Sequence, residues 1–160
     1  MAEFRQKLLD SLKTLNLDDA EHREQHGKDF YKYFFTNFPD LRKYFKGAEH
    51  YTAEDVQKSE RFAKQGQRIL LAVHHIVVAA DRPDVIKAFA REQIVRHKMF
   101  KMQIDLWHAF WEVWTGFLAS RGETAPDLKE AWKKVGYIFS DECVRFQQDI
   151  GGVSALNSLN

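Results

Sequence analysis

The chain has 160 residues, enough for one domain with a real core, and its 24 Lys and Arg against 23 Asp and Glu leave a formal net charge of +1. That balance excludes the strong single-sign field that would draw nucleic acid or an anionic membrane, and the single Cys143 excludes both an intramolecular disulfide and a cysteine zinc site. Only 3 Pro and 8 Gly punctuate a sequence that is 44% hydrophobic and 14% aromatic, so the expected architecture is all-α with long helices.

Residues 3–16 carry Phe4, Leu8, Leu12 and Leu15 at amphipathic spacing. Asp18 or Asp19 can cap the next helix, over 20–37, where Gly27, Tyr31, Phe34, Phe35 and Phe38 lie near one face. Pro39 ends it, and Leu41, Tyr44 and Phe45 follow in an aromatic corner. Thr52 and Asp55 have capping-box spacing at the head of a helix over 53–80, with a break expected near Lys58 and Ser59. Pro83 opens a helix over 84–98, and 99–103 reads as a short connection. Residues 104–120 carry the stripe Ile104, Trp107, Phe110, Trp111, Trp114 and Phe117, a spacing that reads as core. Gly122 ends that helix and Pro126 starts the last, which carries Leu128, Trp132, Val135, Ile138, Phe139, Cys143 and Phe146. The sum is seven or eight helices in one domain over 1–150, followed by a flexible tail over 151–160. Met1 to Gln6 lacks the apolar stretch of a signal peptide, and no apolar run approaches membrane-spanning length. A soluble, cytoplasmic protein without membrane contact is therefore expected.

The middle of the 53–80 helix stands out. Phe62, Gln65, Gly66, Ile69, Val73 and Ile76 share one face, which is apolar except for one amide and has one hole at Gly66. A glycine inside a helix costs about 1 kcal/mol against alanine, so something must approach closely there. An amide beside it fits either a half-exposed glutamine at a helix crossing or a small polar ligand in an apolar pocket.

Phosphate loops, nucleophile elbows and paired-histidine zinc motifs are lacking. Of the histidines, His22, His26 and His50 fall near helix starts or in a loop, and His74 lies about 180° from Gln65 around its helix. His75 also reads as rim or solvent, and His108 has no second ligand beside it. His97 differs, because it closes a helix on the face of Ile86, Phe89, Ala90 and Ile94. One neutral imidazole is a poor multi-ligand metal site but suffices as the axial ligand of a haem, where the macrocycle supplies four nitrogens.

Three stretches then carry a family pattern: Gly27 through Tyr31 and Pro39 to Phe45; Phe62-Ala-Lys-Gln65-Gly66 with Ile69; and Phe89-Ala-Arg-Glu-Gln-Ile-Val-Arg96-His97. Over residues 4–148 the chain resembles a globin, of the nematode intracellular type. The resemblance implies haem b as cofactor and His97 as its proximal ligand. It implies Phe45 stacked on the haem with Tyr44 beside it, Ile69 against the ligand, and Arg68 within reach of a haem propionate. It puts Tyr31 and Gln65 at the oxygen-binding positions, and Gly27 with Gly66 where two helices cross. Counting without gaps from Phe89 would place Gln93 at the proximal position; a four-residue extension, present in nematode globins, places His97 there.

The implied function is reversible dioxygen binding, for storage, transport or scavenging. The Tyr31 hydroxyl and the Gln65 amide can both donate to the polarised gas, so high affinity and slow release are expected. The protein is not expected to be an enzyme. Nitric oxide dioxygenase or peroxidase chemistry, or oxygen and redox sensing, is the alternative on the same scaffold. Other diatomic gases are expected ligands, and a homodimer is expected by resemblance.

Overall fold

The computed structural model describes residues 2–97 and 103–157, with backbone alone for His97 and for 151–157. Among the described residues there are seven α-helices: α1 (Ala2–Leu12), α2 (Ala20–Asn37), α3 (Ala53–Lys58), α4 (Glu60–Val78), α5 (Pro83–His97), α6 (Ile104–Ser120) and α7 (Pro126–Asn157). Short 3-10 segments follow α1 (Lys13–Leu15) and α2 (Pro39–Tyr44).

The helix starts are set by local chemistry. Asp19 accepts a hydrogen bond from the His22 backbone N–H at 3.0 Å and caps α2. Thr52 and Asp55 satisfy each other's backbone N–H in a reciprocal box at the head of α3. The expected break falls at Ser59, whose backbone is extended (φ −84, ψ 120) and whose hydroxyl accepts from Phe62 N–H to start α4 afresh. Pro83 and Pro126 are the first residues of α5 and α7, where a missing N–H leaves no donor unpaired. Gly122 takes φ 98 after α6 and turns the chain towards α7.

Helix α7 continues through Gly151 and Gly152 to Asn157; residues 158–160 lie outside the described residues. Propagation adds one hydrogen bond per residue once a helix exists, and no proline follows Pro126 to stop it. The connection expected over 99–103 lies outside the described residues except for Gln103, which precedes α6.

Two packing relations position the cavity. Helix α2 crosses α4 at Gly27 and Gly66: a Cβ on Gly27 would stand 2.6 Å from the Gly66 carbonyl carbon and 2.8 Å from Gln67 N. Real Cβ atoms do not approach backbone that closely, so only glycine allows the crossing. On the other side α5 lies on α7, which also holds α6. Trp111, Trp114 and Trp132 are almost fully buried between α6 and α7. Trp111 Nε1 donates to Ser140 Oγ at 2.8 Å, that hydroxyl donates to the Trp107 carbonyl at 2.8 Å, and Trp132 Nε1 donates to Ser11 Oγ at 3.1 Å. The Trp111 and Trp132 donors are thereby satisfied, whereas Trp114 Nε1 is buried without a partner among the described residues. A satellite core of Ala90, Ile94, Trp107 and Cys143 fixes α5 to α7. At its edge the Glu142 carboxylate, 5% exposed, accepts from Arg91 at 2.7 Å and from Arg145 at 2.5 Å.

Candidate functional site

A cavity of about 210 Å³ opens between the α2–α4 crossing and the α5–α6–α7 packing. Its walls are mostly aromatic and aliphatic: Phe30 and Phe34 from α2, Ile69, Val73 and Ile76 from α4, with Phe110 and Phe139 opposite. The face read from the sequence therefore divides. Gln65, Ile69, Val73 and Ile76 line the cavity. Gly66 turns to Gly27, and Phe62 packs on Tyr31, with ring centroids 4.9 Å apart. The tryptophans of the stripe are core, as their spacing predicts, whereas Ile104 at its start is exposed, and Trp107 and Trp111 also form part of the cavity wall.

Tyr31 and Gln65 meet at the polar end. Gln65 Nε2 donates to the Tyr31 hydroxyl at 3.0 Å, joining α2 to α4 across 34 positions of sequence. Tyr31 is 2% exposed. Burial pushes its phenol pKa well above the ordinary value and outweighs the opposing hydrogen bond from Gln65, so the group stays protonated. With Gln65 as donor, the tyrosine oxygen is the acceptor and its own proton remains free to donate; among the described residues it has no acceptor. Five aromatic rings pack within about 6 Å of Tyr31 (Phe30, Phe34, Phe35, Phe45 and Phe62) and hold it in place.

Phe45 reaches the cavity from the end of the 3-10 segment, edge-on to Tyr31 at 5.7 Å. Tyr44 does not line it: Tyr44 is 39% exposed, with the Lys43 ammonium 5.2 Å from its ring centre. Consecutive residues of a 3-10 turn point about 120° apart, so one of the pair faces inward and the other outward. Arg68 is exposed and also outside the lining, directly before Ile69.

No histidine whose side chain is described lines the cavity. His75 packs on Phe89 with ring centroids 4.2 Å apart, and His108 pairs with Asp141 at 2.6 Å. The metal-ligand expectation rests on His97, whose helical backbone closes α5 and whose side chain lies outside the described residues. Gln93, one turn earlier on α5, does line the cavity. The sequence places it as a competing proximal position. Leu106 was not singled out from the sequence, because it lies beside the tryptophan stripe rather than on it.

An apolar slot walled by aromatic rings, with an uncharged donor pair at one end and a histidine-terminated helix beside it, defines a pocket for a flat apolar group and a small polar ligand. Among the described residues no three ligating side chains converge, so a metal would have to bring most of its coordination with it, as haem iron does.

Comparison with known proteins agrees with that class. The sequence profile of the globin family matches residues 28–143. The chain is 52% identical to a myoglobin of Nippostrongylus brasiliensis over 143 residues, covering 89% of this chain and 92% of that protein. It is 50% identical to a globin-like protein of Caenorhabditis briggsae, with the same shares covered. Its structure superposes on that of a globin-like protein of Caenorhabditis elegans with a TM-score of 0.86 at 45% identity, over 94% of this chain and 95% of the other. The chain belongs to the globin family. Membership implies a haem, and the cavity's residues fit one.

Proposed function

We propose that this protein binds dioxygen reversibly at haem b, with His97 as axial ligand, and that it retains the gas tightly for storage, transport or scavenging. Haem, when bound, supplies an iron centre that takes up dioxygen and other diatomic gases. The chain does the rest. Phe45, Ile69, Val73 and Phe110 exclude water from the slot. Tyr31 donates its free proton to the polarised gas, and Gln65 fixes the orientation of the tyrosine hydroxyl and offers a second amide hydrogen. Arg68 is exposed on α4, and in this reading its guanidinium would pair with a cofactor carboxylate.

The observation that carries the reading is the Gln65–Tyr31 hydrogen bond at 3.0 Å beside an apolar cavity. Hydrogen bonds to charged groups contribute about 1.5–3 kcal/mol, which is roughly tenfold or more in affinity. Nitric oxide dioxygenase, peroxidase or sensing roles would use the same cavity, but paired neutral donors favour holding the gas over turning it over. A cytoplasmic location and a homodimer are proposed on resemblance alone. A relative named as a myoglobin supports storage, while others named as a cuticular isoform and an extracellular globin show that location varies among similar chains.

The test is reconstitution with haem followed by reduction without gas. The expected spectrum is five-coordinate, converts on exposure to oxygen and returns when oxygen is removed. A six-coordinate spectrum before any gas is added would overturn the proposal, because a protein side chain would then occupy the gas site.

A further inference from the structure

Two tryptophans link the cavity to a second hollow. Trp111 forms part of the cavity wall. Its ring stacks on that of Trp132, with centroids 6.3 Å apart and planes 19° from parallel. Trp132 in turn borders a separate groove of about 430 Å³ along the α6–α7 turn. The stack depends on Gly136, one turn further along α7 than Trp132. A Cβ there would lie 2.8 Å from Trp111 Cε3 and closer still to two other atoms of the ring. A glycine within a helix costs about 1 kcal/mol against alanine, and here it admits the Trp111 indole beside Trp132.

The chemistry of these rings suits one-electron transfer. An indole gives up an electron and keeps its proton, whereas a phenol sheds its proton as it is oxidised. Tyr31 also lines the cavity, but its proton has no acceptor among the described residues. Trp111 Nε1 donates to Ser140 Oγ and Trp132 Nε1 to Ser11 Oγ. A hydrogen bond strengthens when its donor becomes positive, so each hydroxyl favours an electron-poor indole. Neither hydroxyl is a base, so the proton stays on the ring. Other routes are poorer. Trp114 meets Trp132 edge-on at 5.5 Å, but its N–H is buried without a partner among the described residues. Trp107 borders the cavity too, yet it packs on Phe139, a ring far harder to oxidise.

We infer that Trp111 and Trp132 form an electron relay that carries oxidising equivalents out of the cavity to the groove, where a small phenol supplies the electrons. The inference rests on the haem reading above. Hydrogen peroxide is the oxidant, and haem, when bound, supplies the iron centre at which its oxygen–oxygen bond breaks. Trp111 gives one electron to the cavity and is refilled from Trp132, which is refilled by the phenol. The groove suits that donor: Phe38, Leu118 and Leu128 give it apolar walls, and Glu112, ion-paired with Lys129, adds a charged acceptor. The phenol loses its proton with its electron, and the Glu112 carboxylate accepts that proton and passes it to solvent. Two such turns deliver two electrons and release two protons, so one peroxide becomes two waters and two phenols become two phenoxyl radicals.

The experiment is freeze-quench electron paramagnetic resonance of the full chain, loaded with ferric haem and mixed with hydrogen peroxide, with Trp132→Phe and Trp111→Phe beside the parent. Ring-deuterated tryptophan and ring-deuterated tyrosine, incorporated separately, identify the residue type that carries the radical, and guaiacol is the phenol. The expected parent signal is narrowed by the tryptophan label, untouched by the tyrosine label and abolished by guaiacol. In Trp132→Phe a tryptophan signal persists and guaiacol no longer abolishes it. In Trp111→Phe the relay is cut at its other end, and guaiacol is again without effect. Phenylalanine keeps a ring in the seam at either position, so the comparison reads electron transfer rather than lost packing. A parent radical on tyrosine overturns the inference, as does guaiacol quenching that is equal in the parent and the variants, since the phenol would then reach the cavity directly. If Trp132→Phe does not fold, Trp111→Phe alone decides by the same criterion. A parent whose absorption spectrum shows no bound haem overturns the haem reading and this inference together; a parent that binds haem and yields no tryptophan radical overturns this inference alone.

Discussion

Tyr31 and Gln65 divide one task by their protonation chemistry. Neither titrates near neutrality: the phenol is held protonated by burial and the amide has no proton to gain. A histidine at position 65 would titrate there. Autoxidation of the oxygenated protein is therefore expected to vary little on mild acidification, and Gln65→His is expected to introduce an acid-accelerated phase; stopped-flow or manual absorbance kinetics against pH measure both, and a steep acid limb already present in the parent would refute the argument. Cys143 gives a second prediction at this scale. It is fully buried, and burial pushes its thiol up to about 12, so it should not react with a disulfide reagent in the folded protein and should react fully after denaturation.

Between elements, the α2–α4 crossing and the α5–α7 clamp have distinct signatures. Gly66→Ala gains up to about 1 kcal/mol of helix propensity but drives a methyl into the Gly27 backbone, which no rotamer change relieves. Overpacking of this kind costs about 1–3 kcal/mol, so the variant should be less stable in urea titration. It should also release oxygen faster, because separating the helices lengthens the Tyr31–Gln65 bond. At the clamp, hydrogen bonds from Arg145 and then Arg91 outweigh burial and hold the Glu142 carboxyl at about 2, below its ordinary 4.5. A depressed carboxylate contributes stability that is complete above the unfolded value and lost as pH falls through the folded one. The parent should lose stability between about 4.5 and about 2, and Glu142→Gln should show a shallower loss over that interval in acid unfolding followed by circular dichroism.

At the scale of the molecule, what was legible was periodic or punctuated. The Ser59 break, both proline starts and the 104–120 helix were readable because capping side chains, proline and glycine act within four residues of their effect. The pairing of Gly27 with Gly66 and of Tyr31 with Gln65 came from family pattern, since contacts 39 and 34 positions apart leave no local trace. The inward turn of Phe45 against the outward turn of Tyr44 was not readable, because two adjacent aromatics in a 3-10 corner are alike until the corner's orientation is fixed. Nor was the extent of α7, which passes through Gly151 and Gly152. That Gln93 lines the cavity needed the cavity itself. One further expectation belongs to the whole chain: a group that binds only the folded form stabilises it by mass action, so haem should raise the melting temperature in proportion to the logarithm of its excess.

The central claim is that a buried tyrosine, oriented by a glutamine, holds the gas. Stopped-flow measurement of oxygen release from the reduced, haem-loaded protein tests it most directly, with Tyr31→Phe beside the parent. The account predicts slow release in the parent and release faster by roughly tenfold or more in the variant, the worth of one charge-assisted hydrogen bond. Equal release rates in the two proteins would contradict it.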